Sequence, residues 1–202
     1  MKAQFKKSNP HHGSFQTFMG EFVTESDRAA VILGAAKVEF QLGQILETFL
    51  LPSTAATDDL LEGDAPLATF SAKIKVCHRL GLIDDTFVKV LNTFRKLRKG
   101  FAHEVTASSL AAGSARDRVF SMAEPFRDAR FYLSLLNRVA TRMQKDVGDP
   151  SVVFRAVLGI FLLHLNRLHS SVPPPKPLST VGIVSFCSTS VAPEDKAKGD
   201  PE

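Results

Sequence analysis

One run of apolar residues restricts the folds open to this chain more than any other feature. Its side chains recur in steps of four, three, four, three and four, at Val31, Ala35, Val38, Leu42, Ile45 and Phe49. This spacing puts them on one stripe of an α-helix, and a stripe of that length has to pack against other elements. Thr24 and Asp27 have the spacing of a capping box before the helix, and Pro52 ends it. The sequence therefore predicts a long helix with one face in a core.

Five other segments show helical spacing. The first is a short helix at residues 15–22, and the second is a helix from Phe70 with a left-handed cap at Gly81. The third starts after Asp84 or Asp85 and buries apolar residues as far as Phe101. The last two are a stretch from about Asp117 to Lys145, in which Pro125 marks a break or a helix start, and a largely apolar helix from about Ser151 to Leu168. No β-hairpin or βαβ pattern is evident in the first 170 residues. We therefore predict an all-α fold, a single compact bundle of about six helices.

Chain length indicates one domain, because domains usually span about 100–200 residues and this chain has 202. We predict a flexible leader at residues 1–13, the helical domain at residues 14–170 and a disordered tail at residues 171–202, where a triple proline opens a Ser- and Pro-rich segment. The N-terminus lacks an apolar signal segment, and no unbroken apolar run approaches the ~20 residues of a membrane span. We therefore expect a cytoplasmic protein without membrane contact.

Basic residues concentrate at the end of one predicted helix. Arg95, Lys96, Arg98 and Lys99 lie within five positions, and His103 follows. Basic residues in a last turn can simply complement the helix dipole, and a histidine there can cap carbonyl groups. The same residues can also bind an anionic partner, which the formal net charge of +4 permits without requiring it. The sequence leaves both interpretations open.

Helical geometry limits what these basic residues can do together. At about 100° per residue, one face is shared by Asn92, Lys96, Lys99 and His103. Arg98 and His103 are roughly 140° apart on an unbroken helix. Gly100 weakens the helix between them and could let His103 turn back towards Arg98.

Glu39 departs from the apolar pattern of the long helix. A carboxylate is rarely buried unless it is paired. Glu39 either lies at the edge of the stripe and reaches water, or it forms a partly buried ion pair with a basic residue of the segment at 94–103. We predict a pair with Arg95 or Arg98.

Other kinds of site have little support in the sequence. The histidines are not spaced with acidic residues or cysteines as metal ligands would be, and no Gly-rich phosphate loop is present, so we predict no metal and no cofactor. Two cysteines are too few for a disulfide framework. Cys77 lies on a core face and is predicted to be an inert packing residue. We find no self-sufficient catalytic constellation.

Four runs of the sequence resemble the mannitol operon repressor (MltR) family. They lie at residues 26–40, 66–75, 80–84 and 95–103, and the resemblance covers about residues 20–165. It implies a compact helical bundle that regulates transcription and has no recognisable DNA-binding motif. No helix-turn-helix with base-reading residues is evident in this chain either. The resemblance thus implies a non-enzymatic module that acts through a protein partner, without sequence-specific DNA binding of its own.

The spacing of Arg98 and His103 also resembles the signature of HEPN domains, which bind or cleave RNA. In the nucleases of that class, an arginine and a histidine from two subunits meet at a dimer interface and cut RNA without a metal. Carried over, Arg98 would hold phosphate and His103 would assist proton transfer. Lys99 departs from the pattern, because those nucleases usually have a small polar residue there.

The regulatory module is our leading expectation, and an RNA-binding or RNA-cleaving domain is the alternative. The candidate catalytic residues of the alternative are Arg98 and His103. The candidate binding residues are Arg95, Lys96, Arg98, Lys99, His103 and Glu39. We also expect a homodimer, because so apolar a last helix must be buried in a core or in a dimer.

Overall fold

Six α-helices and no strand are present in the computed structural model, which describes residues 20, 22–54, 57–103 and 109–176. They are α1 (Asp27–Phe49), α2 (Phe70–Arg79), α3 (Asp85–His103), α4 (Gly113–Ala123), α5 (Arg130–Met143) and α6 (Pro150–Ser171), with a 3₁₀ turn (Glu124–Phe126) between α4 and α5. The predicted all-α bundle is confirmed. The predicted leader at residues 1–13, most of the short helix at 15–22 and the tail beyond residue 176 lie outside the described residues.

The start of α1 differs from the predicted capping box. Ser26 is the N-cap, and its side chain accepts a hydrogen bond from the Ala29 N–H at 3.2 Å. Thr24 lies too early in the chain for this role, because a cap side chain reaches the amides of the second or third helical residue. The Asp27 carboxylate instead accepts a hydrogen bond from the Leu110 N–H at 3.0 Å. It therefore ties α1 to a distant part of the chain.

The predicted boundaries between α2 and α3 are confirmed. Gly81 has a φ of +71°, the left-handed conformation that favours glycine after a helix. Asp84 caps α3, because its carboxylate accepts a hydrogen bond from the Phe87 N–H at 2.7 Å. Every apolar residue predicted to face inward from α3 is buried; they are Phe87, Val90, Leu91, Phe94, Leu97 and Phe101.

Three long helices form the centre of the bundle. α1 and α6 are parallel, because Asp27 contacts Ser151 near their starts and Thr48 contacts His169 near their ends. α3 is antiparallel to α6, since the ring of Phe87 contacts that of Phe161 whereas the ring of Phe94, further along α3, also contacts Phe154. The C-terminal end of α3 therefore lies at the end of the bundle where α1 and α6 begin.

The helical stretch predicted from Asp117 to Lys145 is two helices. α4 starts earlier, at Gly113, and Pro125 lies in the 3₁₀ turn that separates α4 from α5. Proline has no N–H to donate and so interrupts the α-helical hydrogen bonds. α5 ends at Met143 and is capped by Gln144, whose φ of 53° is left-handed.

α6 is longer than predicted and packs against α1, α4 and α5. Its apolar residues are mostly buried within this single chain. The apolar surface that led us to expect a homodimer is therefore covered by the chain's own helices. The homodimer stays a prediction without that support.

By length and composition alone, α1 and α6 are apolar enough to cross a membrane, although polar residues interrupt the apolar runs of both helices. The most apolar window of α1 is 50% buried inside the bundle, and that of α6 is 67% buried. Both helices therefore serve as core helices in this structure. The absence of membrane contact stays a prediction.

Candidate functional site

The solvent side of α3 carries a row of positive charge. Lys89, Lys96, Lys99 and His103 are exposed and share one side of the helix, and we call them the basic face. Residues 86–103 contain five Lys or Arg and neither Asp nor Glu. Asp85, the first residue of α3, is therefore the one acidic residue of this helix. The helical period explains the arrangement, because the buried apolar residues of α3 occupy the opposite side.

Gly100 does not interrupt α3. The helix is continuous as far as His103, so His103 does not turn back towards Arg98 as the weak helix preference of Gly100 would allow. The intrahelical hydrogen bonds of a well-packed helix outweigh the weak helix preference of one glycine. Arg98 is exposed on a different side of the helix, about 140° from His103. A single copy of this chain therefore does not bring the two candidate catalytic residues together on α3.

Arg95 and Glu39 are both half-buried, but they do not form the ion pair that we predicted. Of the four ion pairs among the described residues, none includes Glu39, Arg95 or Arg98. Part of the Glu39 side chain reaches water instead. Arg95 has a buried Nε atom with no hydrogen-bond partner among the described residues.

The four ion pairs lie elsewhere on the molecule. They are His78–Asp85, Arg127–Glu124, Lys145–Asp149 and Arg155–Asp27. Within the described part of the chain, none of these pairs neutralises a lysine of the basic face. The positive charge there is therefore available to a molecule in solution.

A groove between α3 and α4 borders the basic face, and it was not predicted from the sequence. The α3–α4 groove has a volume of about 440 Å³ and is lined by Thr86, Lys89, Val90, Thr93, Phe120, Ser121, Glu124 and Pro125. Phe120 remains 36% exposed, and the Arg116 guanidinium lies 5.1 Å from the centre of its ring. Phe120 lies within the helical stretch predicted from about Asp117, but no buried face was predicted for that part of the stretch. The available signal was the helical spacing of Val119, Met122 and Ala123, which are all buried.

The described residues were also compared with two other kinds of site, a metal centre and a reactive cysteine. They hold no group of three or more His, Cys, Asp or Glu side chains that could bind a metal ion. Burial raises the pKa of the Cys77 thiol to about 12, because the thiolate would lose its hydration. A thiol with so high a pKa is a poor nucleophile, which supports the prediction that Cys77 is a packing residue.

No protein-family model and no curated protein sequence matches this chain. Among solved structures, it is similar to the crystal structure of YggD from Shigella flexneri 2a str. 2457T, which is described as a possible transcriptional regulator. The two chains are 13% identical with a TM-score of 0.57, and the similarity covers 82% of this chain and 99% of the other. Similarity at this identity shows a shared helical fold. Membership of the MltR family stays a prediction.

Proposed function

We propose that this chain is a non-enzymatic regulatory module of the transcriptional-regulator type, and that it binds an acidic surface of a protein partner through the basic face. The uncompensated charge of α3 carries the proposal, because residues 86–103 contain basic residues and no acidic ones. A fold shared with a possible transcriptional regulator agrees with the function that the MltR resemblance implies.

The position of the charges supports a partner more than a purely local role. Lys89 and Lys96 lie too far from the last turn of α3 to interact with the carboxyl end of the helix dipole. Their exposed ammonium groups can attract carboxylates of a partner over about 8 Å at physiological salt. Such complementarity mainly raises the association rate and excludes basic partners.

Affinity capture from cell extract tests the proposal. The tagged chain is compared with a Lys96→Glu/Lys99→Glu variant and with Arg138→Glu, which reverses an exposed charge on α5. We expect a specific protein that is captured by the wild type and by Arg138→Glu but is lost with the α3 variant. Capture of no specific protein, together with tight operator binding by the purified chain, would overturn the proposal.

RNA binding or cleavage through Arg98 and His103 is the alternative, and the exposure of both side chains permits contact with RNA. Because they lie on different sides of α3, a catalytic pair would have to combine Arg98 of one copy with His103 of another. Incubation of the purified chain with mixed RNAs, beside a His103→Ala variant, tests this. Cleavage that disappears in the variant would replace our proposal, and equal RNA stability with both proteins would eliminate the alternative.

A further inference from the structure

We infer that the α3–α4 groove binds a short amphipathic peptide segment that has an apolar anchor and acidic flanking residues. This inference rests on the proposed function and specifies the chemistry of the partner. Three features carry it, namely the apolar floor of the groove, the charge around it and the arginine that covers Phe120.

The floor of the groove suits an apolar side chain. Val90 is 4% exposed and supplies a packed base, while the more exposed Phe120 and Pro125 form the opposite side. A volume of about 440 Å³ lies within the range of ligand pockets, which is about 300–1,000 Å³. A groove between two packed helices is also the usual receptor for an amphipathic helix, which inserts a few apolar anchors. One or two anchors of this kind supply most of the affinity in such complexes.

The surroundings of the groove select for negative charge. α3 and residues 109–127 contain eight Lys or Arg side chains and three acidic ones, Asp85, Asp117 and Glu124, and Asp85 is paired with His78. Glu124 lines the groove, but it is paired with Arg127. Lys89 lines the groove on the α3 side, and Lys96 lies two turns further along almost the same side of that helix. A peptide anchored at Phe120 would therefore place its flanking residues beside lysines that form no ion pair with the described part of the chain.

Arg116 makes the groove better suited to a peptide than to a nucleic acid. An exposed aromatic ring beside basic residues could stack a base of single-stranded RNA, which requires a free ring face. The Arg116 guanidinium lies over the ring of Phe120, at 5.1 Å from its centre. That face of the ring is thus already occupied, and an apolar side chain can still pack against the part that faces the groove.

A peptide selection tests the inference directly. The full chain is immobilised, a random peptide library displayed on phage is selected against it, and enriched peptides are measured by fluorescence anisotropy. The variants are Phe120→Ala, which removes the apolar wall, and Lys89→Glu, which changes an exposed side chain with little effect on folding. Leu33→Ala is the matched control, because it removes an exposed apolar side chain from α1, outside the groove.

We expect enriched peptides that combine a large apolar residue with net negative charge. Their affinity should fall by about tenfold in Phe120→Ala, fall in Lys89→Glu and with added salt, and stay unchanged in Leu33→Ala. No enrichment, enrichment of neutral or basic peptides, or binding that neither groove variant weakens would overturn the inference. So would a single-stranded RNA oligomer that binds in place of the peptides and is lost in Lys89→Glu. If these results are negative while capture still depends on Lys96 and Lys99, the proposed function stands and the groove is not its site.

Discussion

The guanidinium of Arg155 donates a hydrogen bond to the carboxylate of Asp27 at 3.0 Å, across 128 positions of the sequence. Arg155 is 1% exposed, and the Asp27 side chain is 15% exposed. The same carboxylate accepts hydrogen bonds from the Ser151 hydroxyl at 2.8 Å and from the Leu110 N–H at 3.0 Å. The guanidinium also donates to the backbone carbonyls of Phe22, Glu25 and Ser151. This buried network joins the start of α1, the start of α6 and the segment before α4.

Removal of one partner from this pair should strongly destabilise the fold. Asp27→Ala leaves the buried Arg155 charge without its carboxylate, and we expect the free energy of unfolding to fall by about 3–5 kcal/mol. Simultaneous replacement of both residues by apolar ones of similar size, Asp27→Leu with Arg155→Met, should recover part of this loss. Urea unfolding followed by circular dichroism measures both effects.

Glu124→Gln is the control for this pair. Glu124 and Arg127 are both more than half exposed, and such surface pairs contribute about 1 kcal/mol or less. A loss in Asp27→Ala as small as that in Glu124→Gln would contradict a stabilising role for the buried pair.

Two glycines of α1 should respond to alanine in opposite directions. A Cβ added at Gly34 would lie 2.6 Å from Cδ2 of the buried Leu158, so the core must shift. A Cβ added at Gly43 would meet the end of Lys73 at an ordinary 3.7 Å. We expect Gly43→Ala to stabilise the chain by up to about 1 kcal/mol, because alanine is the better helix former. Gly34→Ala should lose this gain to overpacking, which costs about 1–3 kcal/mol. Thermal unfolding ranks the two variants, and equal stabilisation by both would contradict the close packing at Gly34.

The charge of Asp149 should stabilise α6 in a pH-dependent way. Burial opposes ionisation of this N-cap residue, but Lys145 at 3.0 Å and the Ser151 N–H at 2.8 Å outweigh it and lower the pKa of the carboxyl. Because the folded pKa lies below the unfolded one, the stabilisation is present above the ordinary carboxyl pKa and is lost as pH falls through the folded value. Asn is also a good N-cap, so Asp149→Asn isolates the charge and should cost about 0.5 kcal/mol near neutral pH.

Unfolding free energies of the wild type and Asp149→Asn over an acid titration measure this effect. The advantage of the wild type should shrink as the solution becomes more acidic than the usual carboxyl range. A difference that stays constant over the whole titration would show that the charge of Asp149 contributes nothing.

Cys77 should resist thiol reagents in the native state. It is fully buried, and burial raises its pKa to about 12, so the reactive thiolate is scarce at mildly alkaline pH. In a Cys187→Ser variant, which leaves Cys77 as the only thiol, we expect reaction with a disulfide reagent only after urea unfolds the chain. Rapid reaction of the native variant would show that α2 opens readily.

The helices and their buried faces could be predicted from local patterns, but the site could be predicted only in part. The basic residues of α3 were visible because they follow one another in the sequence. Whether His103 lies on the basic face, apart from Arg98, depended on whether Gly100 would break the helix. α3 stays unbroken there, because the neighbouring Phe101 packs in the core. The ion pair predicted for Glu39 required the mutual orientation of α1 and α3, about which the sequence contains no local signal.

The sequence by itself determined that the chain is helical and which faces of α1 and α3 point inward, because the spacing of apolar side chains encodes burial within each helix. Tertiary structure alone decided that Asp27 meets Arg155 and that Phe120 faces α3. Both outcomes depend on how helices distant in sequence dock against one another, and docking is set by the collective packing of the core. A residue such as Arg155, which interrupts an apolar pattern, can thus be recognised in the sequence as exceptional, while the partner that makes its burial tolerable becomes visible only in the fold.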